Sequence, residues 1–107
     1  MRPGGQPNLQ QLMKQAQKMQ QQVASAQAEL AEAEVSGSAG GGLVTVTLTG
    51  LGEVKSVKID PKVVDADDVE TLEDLVLAAI HNAAEGQREL AEAKMGPVTG
   101  GLSLPGF

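Results

Sequence analysis

Residues 8–33, NLQQLMKQAQKMQQQVASAQAELAEA, decide how the rest of this 107-residue chain must be arranged. Their apolar positions Leu9, Leu12, Ala16, Met19, Val23, Ala26, Leu30 and Ala33 fall alternately three and four residues apart, the spacing of one continuous helical seam. No Gly or Pro interrupts the stretch, and the Gln, Ala, Lys and Glu between the seam positions favour helix. Asn8, with Gln11 three residues on and Pro7 just outside, is expected to cap it. At about 1.5 Å per residue the helix is about 39 Å long.

Its charges oppose its own dipole. Lys14 and Lys18 lie in the N-terminal half, while Glu29, Glu32 and Glu34 gather at the C-terminal end, each at a cost of a few tenths of a kcal/mol. With Leu9 as the first heptad position, both lysines point away from the seam, among Gln10, Gln11, Gln17 and Gln21. Such a face either keeps a helix solvated or contacts phosphate.

Beyond Glu34 the period changes from helix to strand. Val35, Gly37 and Ala39 alternate with Ser36 and Ser38, and Gly40 to Gly42 then read as a hairpin turn; no Lys-Ser/Thr follows that would make them a phosphate cradle. LVTVTLT at 43–49 is the clearest strand, with Val44, Val46 and Leu48 on its buried face. EVKSVKID at 53–60 is a third strand whose parity slips between Val54 and the pair Val57 and Ile59. A bulge near Lys55 or Ser56 restores it. Pro61 ends the strand.

A second helix is expected from about residue 68 to Lys94, capped by Asp67 with Glu70 three residues later. Val69, Leu72, Val76, Ala79, Ala83, Gly86, Leu90 and Ala93 repeat the heptad spacing, and Leu75, Leu77 and Ile80 widen the stripe in the first half. That half is expected on the sheet, and the narrower half around Gly86 against another helix. Residues 95–107, MGPVTGGLSLPGF, form an uncharged Gly/Pro tail whose Val98, Leu102, Leu104 and Phe107 are expected to lie partly against a helix or a partner. Residues 1–7 read as a flexible lead-in to a single domain over 1–107.

Composition narrows the function classes. The chain has one aromatic residue, no cysteine and 14 alanines, so it has no disulfide framework and depends on close packing of small side chains. No apolar run approaches the length of a bilayer span and the N-terminus lacks a signal-peptide core, so a soluble, cytoplasmic protein is expected. The net charge of −6 is unevenly placed: residues 1–28 hold three basic and no acidic residues, the remainder five basic and fourteen acidic. The lone His81 has no nucleophile or second metal ligand in a readable constellation, and the acids at 65–70 lack the glycine and spacing of a calcium loop. Neither catalysis, a metal, a cofactor nor a small-molecule substrate is therefore expected.

Strands of six to eight residues span about 20–25 Å, much less than either helix. The overhanging seams need cover, and a homodimer supplies it while placing two basic N-terminal faces in one particle. Leu12, Met19, Val23, Leu30 and Leu90 are the seam positions expected in the core or the dimer contact.

The strings NLQQLMKQAQKMQ at 8–20, GGGLVTVTLTG at 40–50, EVKSVKIDP at 53–61, LEDLVLAAIHNAA at 72–84 and GGLSLPGF at 100–107 together resemble the YbaB/EbfC family of bacterial nucleoid-associated proteins. The resemblance implies an α+β protomer of α-β-β-β-α order. It also implies a three-stranded antiparallel sheet flanked by two long helices, an intertwined homodimer with projecting helices, a place in the nucleoid, and binding of double-stranded DNA without catalysis. Carried over residue by residue, it points to Lys14, Gln15 and Lys18 on the first helix and Arg88 and Lys94 on the second, to which the basic N-terminus adds Arg2. This chain is more acidic than that pattern, with Gln20, Gln21 and Gln22 where further charge would fit. The reading is of a nucleoid-associated protein with little sequence specificity that bends or bridges duplex DNA and affects gene expression or nucleoid organisation; the alternative is a protein-interaction adaptor or a prefoldin-like holdase.

Overall fold

The computed structural model describes residues 7–99; Arg2 and the tail side chains Leu102, Leu104 and Phe107 lie outside the described residues. Helix α1 (Pro7–Glu32) leads into strands β1 (Glu34–Ala39), β2 (Val44–Thr49) and β3 (Val54–Ile59), a single 3-10 turn covers Pro61–Val63, and helix α2 (Val69–Thr99) closes the chain. The sheet is antiparallel with β2 in the middle. This is the expected α-β-β-β-α order.

The alternation in β2 does what its sequence requires. Val44, Val46 and Leu48 are buried under α2 against Ala79 and Ala83, while Thr45 and Thr47 stay half-exposed on the other face. Residues 40–42 make the hairpin turn, all three with positive φ (66°, 71° and 99°), a conformation that glycine adopts without a Cβ clash. In β3 the pairs Thr47 with Ser56 and Leu48 with Val54 leave Lys55 as the extra residue of a bulge. Val54, Val57 and Ile59 are thereby brought to one face.

Small residues let α2 approach. A Cβ on Gly37 would stand 2.1 Å from the backbone N of Ala83, so β1 and α2 are in backbone contact there. Gly86 faces β1 rather than another helix, since its Cβ would meet Val35 Cγ1 at 2.9 Å. At Gly86 the narrow seam therefore meets a strand, and the helix packing expected of it begins further along α2, where Lys94 pairs with Glu29 of α1. Gly50 is a second junction: its N–H donates to Leu30 O at 2.8 Å, and its carbonyl accepts from Gln87 Nε2 at 2.7 Å. One residue thus satisfies a terminal carbonyl of α1 and ties both helices to the sheet.

The helix ends correct the sequence reading. α1 begins at Pro7, so Asn8 lies inside it; proline has no backbone N–H to leave unpaired in a first turn. The cap of α2 is Asp68, whose carboxylate accepts from Thr71 N at 3.3 Å and Thr71 Oγ1 at 2.6 Å; Asp67 instead donates its N–H to Asp65 Oδ1. α2 also continues past Lys94 to Thr99 and through Pro97. This end of α2 runs beside α1: Lys94 pairs with Glu29, and Lys94 and Pro97 share an open cleft with Gln22, Ser25, Ala26 and Glu29.

Rising positions on α2 meet falling positions on α1, so the two helices pair antiparallel beyond the sheet. Ala26 and Leu30 are buried, Met19, Val23 and Leu90 half-buried, and Leu12 bare. Residues 8–18 are exposed throughout, a prong at one end of a molecule measuring 80 × 28 × 17 Å. A second bare surface lies at the sheet end. Val54, Val57 and Ile59 share the face of the buried β2 valines but are 59%, 45% and 39% exposed, because α2 covers β1 and β2 only. Leu77 and Ile80, expected on the sheet, instead line an apolar groove with Ile59, Leu72 and Val76.

Gly37→Ala is expected to destabilise by at least about 3 kcal/mol through the backbone clash, against about 1–2 kcal/mol for Gly41→Ala, which is open but left-handed. Paired urea denaturation curves check the order.

Candidate nucleic-acid interface

The prong carries the basic candidates. Lys14, Gln15 and Lys18 are exposed there, and neither lysine is in an ion pair among the described residues. Four residues apart, the lysines rise about 6 Å along the helix and lie on one flank. The apolar stripe of Leu9, Leu12, Ala16, Met19 and Val23, bare over its first three residues and half-buried at Met19 and Val23, is centred about 160° round the helix from them, at 100° per residue. α1 carries no acid before Glu29, so the flank projects a positive field that no neighbour on its own helix cancels.

The other candidates sit elsewhere. Arg88 is exposed on α2 beside Gln87, which bonds Gly50 at the root of the helices. Measured along α1 from Leu30, that root is about 18 Å from Lys18. Its sequence neighbours Glu85, Glu89 and Glu92 surround it with negative charge. Lys94 is paired with Glu29, Nζ to Oε1 at 2.9 Å. The structure therefore brings Lys14, Gln15 and Lys18 together and separates them from Arg88 and Lys94.

Glu29 is the residue that sequence reasoning passed over. As the first acid after a long acid-free run it was visible, but its partner is 65 positions away and only the antiparallel helix pairing brings them together. A second pair, Lys55 with Glu34, crosses the open face of the sheet. The Glu34 carboxylate accepts a hydrogen bond from Lys55 Nζ and, by that bond and its charge, raises the lysine above its ordinary 10.5. His81 is exposed, and no group of three His, Cys, Asp or Glu side chains among the described residues is placed to hold a metal. No described helix is long and apolar enough to cross a membrane.

The model of the YbaB/EbfC DNA-binding family matches residues 5–102. Proteins named nucleoid-associated protein from Saccharopolyspora erythraea and Rhodococcus opacus are 64% and 59% identical, each aligned over 100% of both chains. One of the same name from Streptomyces avermitilis is 57% identical over 97% of this chain and 95% of its own. The fold is similar to the crystal structure of an uncharacterized protein from Helicobacter pylori, with a TM-score of 0.68 at 21% identity over 88% of this chain and 96% of that one.

Both partners of the Lys94–Glu29 pair are about half exposed, so a double-mutant cycle with Glu29→Ala and Lys94→Ala is expected to give a coupling of no more than about 1 kcal/mol. It should shrink further in about 1 M salt.

Proposed function

The chain belongs to the YbaB/EbfC DNA-binding family, and from that premise we propose that it grips duplex DNA as a homodimer through the lysine flanks of two α1 prongs. The observation that carries the proposal is the acid-free, exposed flank of Lys14 and Lys18, set on the side of the helix away from its apolar stripe. Lysine ammoniums contact phosphate without reading sequence, and Gln15 adds an amide able to reach phosphate or a base edge. With Arg2, Lys14 and Lys18 engaged in both protomers, the log-log salt slope is no steeper than about −5. Binding is therefore of low sequence specificity and strongly salt-dependent. Lys94 joins only by leaving Glu29, and Arg88 contributes only where DNA reaches the base of the helices.

The dimer is supported by the bare sheet-end groove. Leaving Val54, Val57, Ile59, Leu77 and Ile80 in water forfeits the burial their β2 neighbours obtain, and a twofold copy of the same surface covers them. Two prongs then project from one particle, a geometry suited to bending or bridging a duplex. The corresponding place in the cell is the nucleoid, within the cytoplasm, with effects on its organisation and on gene expression.

Lys14→Glu with Lys18→Glu is expected to abolish retardation of a random duplex at low salt while the circular dichroism spectrum stays unchanged. Equal retardation by variant and parent overturns this face, and salt-insensitive binding of an unfolded client without DNA affinity supports the adaptor or holdase reading instead. Light scattering should give twice the 11.0 kDa chain mass, falling to the single-chain mass on Leu77→Asp with Ile80→Asp. A monomeric parent overturns the dimer.

A further inference from the structure

We propose that Glu29 sets the affinity of the basic flank for duplex DNA by holding Lys94, a third cation on the same line of the molecule, away from phosphate. The inference rests on the duplex-binding reading and names a residue that tunes it.

At 100° per residue, Glu29 lies only about 20° round α1 from Lys18 and about 60° from Lys14, and its place in the sequence puts it about 17 Å beyond Lys18 along the axis. Gln22 and Ser25 fall on the same line between them, both exposed and uncharged. The flank therefore continues from the prong to Glu29, and the acid-free segment of residues 1–28 ends at the residue where α2 brings its own lysine alongside. There Lys94 Nζ donates to Glu29 Oε1 at 2.9 Å, and the two share an open cleft with Gln22 and Ser25. Lys94 is separated from the prong lysines in height but not in direction.

The pair stands in for the contact it blocks. A carboxylate and a phosphodiester are both oxyanions that accept a hydrogen bond from an ammonium, so Glu29 takes the bond that a phosphate would take. A duplex carries a charge about every 1.7 Å of its axis, and one that follows the flank from Lys14 brings phosphate over the cleft, where it meets a neutral pair. Both side chains are about half exposed, so phosphate can reach them. A phosphate that takes Lys94 leaves the Glu29 carboxylate unpaired beside a polyanion, and that repulsion cancels the gain. Glu32 borders the neighbouring cleft with Lys94 but stands outside the pair. With Glu29 uncharged, Lys94 joins the Gln22 amide and the Ser25 hydroxyl in one more phosphate site on each protomer.

Fluorescence anisotropy titrations of the full chain against a random duplex, at several salt concentrations, test the assignment. Glu29→Gln is expected to tighten binding about five-fold or more in about 0.1 M salt, and to steepen the log-log salt slope by about 1.8, one contact from each of two protomers. In Glu29→Gln with Lys94→Gln both effects are expected to vanish, to within about two-fold of the parent, because the pair removed is neutral. Glu92→Gln takes away an equal charge at an exposed position two residues from Lys94, on the other side of α2. Screening across the helix is expected to hold its effect below about two-fold. A silent Glu29→Gln overturns the proposal, and so does a gain that survives the loss of Lys94 or is matched by Glu92→Gln. Where the parent binds duplex and Glu29→Gln is silent, the inference alone fails; a parent without duplex affinity at low salt overturns the DNA reading, and the inference with it.

Discussion

Backbone contact across small residues is the interaction on which the rest of this protein depends. Gly37 lies so close to Ala83 that no Cβ fits between them, Gly50 stands in the same relation to Leu30, and Gly86 to Val35. The described core holds only aliphatic side chains: Val44, Val46, Leu48, Leu30 and three alanines. A core so poor in volume reaches native packing density only if helices and strands come closer than large side chains would allow. Glycine and alanine at those crossings supply that approach, and both helices are held at fixed heights relative to the sheet as a result.

Those heights determine the form of the molecule. Because Gly50 receives the end of α1 and Gln87 secures α2 to the same residue, the helices leave the sheet together and pair antiparallel. α1 outruns its partner, and the excess becomes the exposed prong at residues 8–18. Charge is partitioned along the same axis, with the acid-free segment at the prong and the acids around the sheet and the start of α2. A net-acidic protein thus presents a basic tip, with the repulsive bulk of its charge kept more than a Debye length of about 8 Å from a polyanion at that tip.

Much of this was legible in the chain itself. The seven-residue seam gave α1 its length, the alternation in 43–49 gave β2 its buried face, and the parity slip between Val54 and Val57 located the bulge that pairing places at Lys55. Local signals failed where two choices were chemically equivalent or where a distant contact intervened. Asp67 and Asp68 are both good caps, and the helix start settled on the second. Gly96 and Pro97 argue for a helix end, yet α2 runs through both to Thr99. Of the candidate basic residues, the clustering of Lys14 with Lys18 followed from helical spacing, whereas the capture of Lys94 by Glu29 did not.

By itself, then, the sequence determined which segments are helix and strand, which face of each is apolar, and which end of the chain is basic, because these follow from periodicity and composition within a few residues of one another. The tertiary structure decided which apolar faces are covered and which stay bare, that Gly86 meets a strand, and that Lys94 is neutralised. Those outcomes hinge on the heights at which Gly37 and Gly50 let the elements touch, and a distance of closest approach between remote segments leaves no periodic trace in a linear chain.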